Sequence, residues 1–223
     1  MTTRSEKKEA KRLEILAVAA SAFRRRGFHA TSMDEIAQSL GMTKGNLYHY
    51  FPDKEAILFA CHEYFLDRQL NSLARIEKAG YSPDVKFIRV VSSFVQAIID
   101  DVQGGALGLE VKELSGAKLR KIVAKRDKFE RGLRRLLKMG MEQGVFRETD
   151  PKLLTFAILG ALNWISRWYR RGGSVQLHEV GEVFGDFFLH GLRRTEPDYS
   201  MASPFAKKAL SLVPEEASTG RVP

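Results

Sequence analysis

Cysteine is all but missing from this chain: Cys61 is the single one among 223 residues. No intramolecular disulfide can form, which fits a reducing cytoplasm, and a lone thiol cannot build a thiolate metal site. On a helix beside Phe59 and Ala60, Cys61 reads as a small core residue. Histidine is scarce too, and His29, His49, His62, His178 and His190 show no ligand spacing, so no metal and no other cofactor is expected. A nucleophile–base–orienter set is lacking, because Cys61 and His62 are adjacent and adjacent helix positions do not face each other. Apolar runs of transmembrane length, a secretory signal, internal repeats and extended low-complexity tracts are all absent, and a cytoplasmic protein without membrane contact is expected. Acidic groups are in deficit, 27 against 36 lysines and arginines, for a net charge of +9. That excess suits an anionic partner without choosing among nucleic acid, membrane and anionic ligand.

What is present is apolar content of 44%, enough for a substantial core in one large or two small domains. The basic excess is unevenly placed. Residues 1–55 carry 10 basic and 7 acidic groups, and residues 104–171 carry 16 and 7, whereas residues 56–103 and 172–223 are slightly acidic.

The most informative stretch is TSMDEIAQSLGMTKGNLYHYFPDK, Thr31 to Lys54. Ser32 followed three residues later by Glu35 is a capping box, and Met33, Ile36, Ala37 and Leu40 give a first short helix one buried face. Gly41 ends it in a turn that needs a positive φ. Thr43 caps a second short helix, Lys44 to Tyr50, so the pair reads as a helix-turn-helix. Leu47 points inward. Thr43, Lys44 and Asn46 stand at the end that a recognition helix presents to base edges, and Gly45 lets the backbone approach the groove. Thr31, Ser32, Tyr48, His49, Tyr50 and Lys54 complete the candidate DNA-binding set as phosphate contacts near free helix-start amides. The competing interpretation is a small core helix pair with its aromatics packed inside.

From Ile15 through Leu58 the chain resembles the TetR family of transcriptional regulators, on a small-residue first helix, G-F-x-x-T-S, I-A, G, and then G-x-L-Y-x-Y-F-x-x-K-E. The resemblance implies a dimeric repressor with a three-helix DNA-binding domain and a larger helical domain that takes a small effector. It also implies that the basic start of the first helix reaches phosphates and that the helix after Lys54 carries the effector signal.

The rest of the chain reads as helices. Met1 to Glu9 is expected to fray, and a first helix runs on to Arg26. Further helices are expected from Lys54 to about Ala79, Pro83 to Val102, Leu107 to Leu114, Ala117 to Gln143, Asp150 to Arg171 and Leu177 to Arg194. Ser82-Pro83 and Asp150-Pro151 are cap-plus-proline starts. The last two of these helices have apolar faces broader than one small domain must bury. Ile158, Leu162, Ile165, Val180, Phe184, Phe187 and Phe188 are the candidate dimer interface, a four-helix bundle by family resemblance. The expected architecture is therefore all-α: a DNA-binding domain over residues 1–53, an effector and dimerisation domain over 54–194, and a flexible tail over 195–223 with a short helix near Phe205 to Leu212.

The effector follows from the basic excess between residues 104 and 171, which is either a solvated helix face or the sign of an anionic ligand. Arg167, Arg170 and Arg171 adjoin Trp164, Trp168 and Tyr169, a combination of phosphate-matching forks and stacking faces. Phe94, Ile98, Phe129 and Leu133 are candidates to line an acyl pocket, core packing being the alternative. The stretch from Glu142 to Gly173, with GVFRETDP and NWISRWYR, resembles the acyl-CoA-responsive branch of the family, which includes repressors of fatty-acid and sterol catabolism, and its matching residues include Asn163. The expected function is a homodimeric repressor of a palindromic operator, released by an acyl-CoA thioester. An apolar drug or aromatic effector is the alternative, although cation-binding carboxylates are few beyond Glu110 and Glu113. An enzyme acting on a CoA ester is the reading from a different class.

Overall fold

Residues 3–98, 111–170 and 172–193 are described by a computed structural model. Arg171, the end of the Pro83 helix beyond Ile98, the Gly104-Gly105 break, Glu110 and the tail with its short helix lie outside the described residues. Among the described residues the regular elements are helices: α1 (Arg4–Arg26), α2 (Met33–Ser39), α3 (Lys44–Tyr48), α4 (Lys54–Lys78), α5 (Pro83–Gln96), a 3₁₀ turn (Val111–Glu113), α6 (Gly116–Glu142), α7 (Pro151–Trp168) and α8 (Leu177–Leu192). The all-α architecture expected from sequence is what the chain adopts. The one departure is an isolated antiparallel bridge between Phe146 and Arg193.

Most of the segment expected to fray is helical among the described residues, from Arg4 onward. Thr3 and Glu6 form a reciprocal capping box, so α1 is already helical at Arg4. Its face Ile15, Leu16, Ala19 and Phe23 closes over α2 and α4. Asp53 caps α4 by accepting from the Ala56 amide at 2.6 Å, and Asp150 caps α7 ahead of Pro151. At α5 the proline start is present but the Ser82 hydroxyl makes no cap bond to the helix. Gly116 takes a positive φ of 51° at the head of α6, a conformation that L side chains resist.

Helix α4 packs most extensively on α6, and α5 on α8. Between them lies an aromatic core in which Phe94 meets Phe65 at 5.6 Å and Phe129 at 6.2 Å between ring centroids. At the far end Phe87 meets Phe146 and Phe188 edge-on. Gly140 is required there, since a Cβ would stand 2.1 Å from the Phe146 ring.

Two faces remain apolar and uncovered in the single chain. On α7 they are Leu153, Phe156, Trp164 and Trp168; on α8, Val183 and Phe187, with Trp164 64% and Phe187 73% exposed. This corrects the register of the expected dimer face. Ile158, Leu162, Ile165 and Val180 point inward and are buried, Phe184 and Phe188 are half-buried, and Phe187 alone of that set is fully outward. Both helices are apolar on two sides, which is why periodicity fixes their breadth and not which side faces out.

Candidate DNA-reading and effector sites

Helices α2 and α3 form the expected pair. Ser32 accepts from the Glu35 amide while the Glu35 carboxylate accepts from the Ser32 amide at 2.9 Å. That amide, with Arg26 at 2.5 Å, holds the Glu35 carboxyl below the usual carboxylate range. Gly41 takes a φ of 62° at the turn, and Thr43 accepts from the Asn46 amide at the head of α3. Helix α3 is shorter than its sequence pattern: it ends at Tyr48, with His49 as its C-cap.

Leu47 is fully buried and anchors α3. Around it Thr43, Lys44, Gly45, Asn46, Tyr48 and His49 are exposed, Tyr50 is half-buried, and Ser32 is exposed at the neighbouring helix start. Lys44 reaches back to Asp34 at 2.7 Å, and that hydrogen-bonded carboxylate holds its pKa above the usual lysine value.

Thr31 and Lys54 are placed otherwise than expected. Thr31 is 1% exposed and its hydroxyl donates to the Gly27 carbonyl at 2.9 Å. The Lys54 ammonium donates to the carbonyls of Phe28, His29 and Thr31 at 2.9, 3.1 and 3.1 Å and lies 4.7 Å from the Phe28 ring centroid. All three donors of the ammonium are engaged, so this pair ties the α1–α2 loop to α4.

The reading head packs on α4 through its buried face, and around the start of α6 the contacts are polar. His29 Nε2 lies 2.6 Å from a Glu113 carboxylate oxygen. Glu55 accepts from the Ser115 amide at 2.7 Å, the Ser115 hydroxyl at 2.9 Å and Lys118 at 3.0 Å. The Ser115 amide, followed by Lys118, holds the Glu55 carboxyl below its ordinary value.

Part of the positive charge of residues 104–171 is answered by α4. Lys121 pairs with Glu63 at 2.7 Å, Lys125 with Glu63 at 3.0 Å and Asp67 at 2.6 Å, and Arg135 with Glu77 at 2.9 Å. Burial raises the Glu63 pKa, but Lys121 and Lys125 outweigh it and hold the carboxyl low. Four cations of the segment, Lys118, Lys121, Lys125 and Arg135, thus pair with α4 carboxylates, which reduces the surplus without removing it and weakens it as a sign of a ligand.

Of the expected effector residues, Phe94, Phe129 and Leu133 are buried in the aromatic core, with Ile98 packed against it. Asn163, Trp164, Arg167, Trp168 and Arg170 are exposed along α7 and just past its end, on the side that carries the uncovered apolar face. Arg170 donates to the carbonyls of Arg167 and Tyr169. The structure therefore brings the expected effector residues together as two groups, one inside and one outside. Cys61 is buried against the Leu16 carbonyl, and burial pushes its thiol up to about 12, so it is inert packing. His62 was not among the candidate sites. Its Nε2 is buried without a hydrogen-bond partner, and burial, reinforced by Arg126, pushes the imidazole down to about 3.

Two capped helices around a positive-φ glycine, with a polar second helix turned outward on a buried leucine, define a helix-turn-helix DNA-binding protein. Residues 15–61 match the family description "Bacterial regulatory proteins, tetR family", and residues 80–192 match "Tetracyclin repressor-like, C-terminal domain". The chain belongs to the TetR family of bacterial transcriptional regulators. A relative, the HTH-type transcriptional repressor KstR2 of Rhodococcus jostii, is 30% identical over 190 residues, spanning 83% of this chain and 92% of its own. The ketosteroid regulator KstR2 of Mycobacterium tuberculosis superposes with a TM-score of 0.77 at 27% identity, over 83% of this chain and 96% of its own. AibR, in a complex with isovaleryl coenzyme A and operator DNA, superposes with a TM-score of 0.69 at 28% identity, over 82% and 98% of the two chains. No helix among the described residues is long and apolar enough to cross a membrane.

Proposed function

We propose that the chain is a cytoplasmic repressor that binds a palindromic operator as a homodimer and leaves it when an acyl-CoA thioester binds. The observation that carries the DNA half is the outward set Thr43, Lys44, Asn46, Tyr48 and His49 around buried Leu47. On this reading these side chains enter the major groove as those of a recognition helix do, with the two helices of a two-fold dimer about one helical turn apart. The dimer is supported by the exposed apolar faces of α7 and α8, which a second copy would cover in a four-helix arrangement.

The thioester is supported by two features and by a neighbour. The aromatic core of Phe94 and Phe129, with Leu133 and Ile98, offers apolar lining for an acyl group once its rings separate. Arg167 and Arg170 lie beside Trp164 and Trp168 at the end of α7, where guanidinium forks and ring faces suit phosphate and nucleobase. AibR, of like fold, is a protein whose complex contains isovaleryl coenzyme A.

The test is fluorescence anisotropy on DNA from upstream of this gene, with a panel of acyl-CoAs. One chain class should weaken binding by roughly 5–150-fold, the range of a coupling of about 1–3 kcal/mol, while free coenzyme A and the free acid do nothing. Tight operator binding indifferent to every thioester would keep the repressor and remove the effector. Turnover of a thioester would overturn both.

A further inference from the structure

Helix α4 is electrostatically two-sided. Its acidic side chains Glu55, Glu63, Asp67 and Glu77 each meet a lysine or arginine of α6. Its cations Arg68, Arg75 and Lys78 lie on another face, with Asn71 and Ser72 between them at helical spacing. Opposite that face α5 presents Arg89, Ser92, Ser93 and Gln96, again one helical face. Packed amphipathic helices ordinarily meet through apolar stripes. Here the two polar faces leave a trough instead, with two concavities of about 850 and 480 Å³ that share Ser72, Arg75, Ser93 and Gln96.

The floor of this trough is small and hydroxylic, with Ser93 donating to Ser72 at 2.8 Å. The rim is cationic: Arg68, Arg75, Lys78 and Arg89 are all exposed. Among the described residues no acidic side chain lines either concavity. Arg75 and Lys78, three residues apart on one helix, repel each other in the absence of an anion. Arg89 lies 4.2 Å from the Tyr81 ring centroid and Arg68 5.6 Å from that of Tyr64, so both guanidinium groups are held against rings with their forks free of carboxylates among the described residues. The span from Arg89 to Gln96 is about 10 Å along the helix axis, the scale of a short run of phosphates rather than of a polymer.

We propose that the α4–α5 trough binds a multiply phosphorylated small molecule, with Arg68, Arg75 and Arg89 pairing phosphate oxygens from the rim and Ser72 and Ser93 meeting them at the floor. Arginine matches phosphate with two parallel donors, and among the described lining residues there is no carboxylate to compete with the ligand. The phosphates have two sources, the coenzyme end of the effector proposed above, in which case this assignment rests on that reading, or a free nucleotide acting as a second ligand. In the first case the trough takes the phosphates in place of the arginines at the end of α7, and in the second it is a separate site.

The experiment is isothermal titration of the full-length protein at low salt with inorganic pyrophosphate, adenosine 3′,5′-bisphosphate, coenzyme A and an acyl-CoA. Wild type should bind at least one of these saturably, one per chain, and more weakly as salt is added. Arg75→Gln and Arg68→Gln should each weaken that binding about tenfold, about 1.4 kcal/mol, while Lys138→Gln, the loss of an exposed charge on α6 that lines neither concavity, leaves it unchanged. Arg75→Lys, which keeps the charge and loses the fork, should fall between. All the side chains changed are exposed, so thermal midpoints should match wild type. No saturable binding by any probe, or binding that survives Arg75→Gln and disappears with Arg167→Gln, overturns the site. Pyrophosphate binding lost in Arg75→Gln while no acyl-CoA releases operator keeps the site and sinks only the thioester reading. Acyl-CoA release of operator that ignores Arg75→Gln, with bisphosphate binding that does not, assigns the trough to a second ligand.

Discussion

Replacing Lys54 with methionine separates two roles that the sequence cannot distinguish. As a phosphate contact, Lys54 would contribute to DNA affinity and little to stability. In the structure its ammonium is bound by three loop carbonyls and lies 4.7 Å from the Phe28 ring centroid. One hydrogen bond to a charged group is worth about 1.5–3 kcal/mol, and a cation–ring contact adds about 0.5–1. The bonds share one donor group and do not add, and the abandoned carbonyls can rehydrate, so the net loss should be about 2–3 kcal/mol. At about 2–4 °C per kcal/mol for a chain of this size, the midpoint should fall by roughly 4–12 °C. Circular dichroism reads that midpoint. Anisotropy against salt reads the DNA side, where each lost phosphate contact lowers the slope of log K on log salt by about 0.9. The expected result is a lower midpoint with an unchanged slope. An unchanged midpoint with a slope reduced by about one contact would refute the assignment.

Lys44 should behave in the opposite way: Lys44→Met lowers the salt slope by about 0.9, while its solvent-exposed pair with Asp34 contributes little to stability, so the thermal midpoint should stay near that of wild type. Asp34→Asn, which frees the same ammonium, should tighten DNA binding in the same assay. Gly140→Ala sets a Cβ against the Phe146 ring and should destabilise by about 1–3 kcal/mol, measured by urea unfolding, with Phe146→Leu on the same background recovering part of it. His62 is held neutral, down to about 3, so the unfolded chain takes up a proton that the folded one does not between its ordinary pKa and that value. Stability present above about pH 6.5 is therefore lost as the pH falls, at up to about 1.4 kcal/mol per pH unit, and His62→Leu should flatten that fall in a pH series of unfolding curves.

Local signals carried the reading head well. The Ser32–Glu35 box, the Gly41 turn and the inward Leu47 are all encoded within the sixteen residues from Ser32 to Leu47, and each forms as its spacing demands. Signals that depend on a partner from far along the chain were misread in proportion to that distance. Lys54 looked like a free cation because its acceptors are carbonyls 23 to 26 residues away, and backbone acceptors leave no mark in a sequence. The positive segment around residues 118–135 looked unbalanced because its carboxylates lie 58 to 63 residues earlier. Helix α7 shows apolar residues on both sides, so the pattern could not say that Ile158 and Leu162 turn inward and Trp164 outward. The α4–α5 trough had a local mark after all, in the i, i+7, i+10 run of Arg68, Arg75 and Lys78, but its meaning depended on finding Arg89 and Ser93 across from it.

If an effector acts as proposed, the junction between the reading head and the larger domain offers it a route to the DNA. Helix α1 joins α4 through buried packing, with Ile15, Leu16 and Ile57 fully enclosed, and an effector has little means of altering that core. The contacts to the Val111–Ser115 turn are different in kind: His29 to Glu113, and Ser115 and Lys118 to Glu55, all polar and near solvent. Exposed pairs of this type are worth about 0–1 kcal/mol each, so exchanging two or three of them matches a coupling of about 1–3 kcal/mol without unfolding anything. Glu55→Gln, which weakens acceptance from Lys118 and from the Ser115 amide, should shrink the ratio of operator affinities with and without effector while leaving effector affinity in the absence of DNA within about twofold. Parallel anisotropy and calorimetry measure the two quantities. A ratio equal to wild type would mean that the signal crosses elsewhere, through the α1–α4 core or through the dimer.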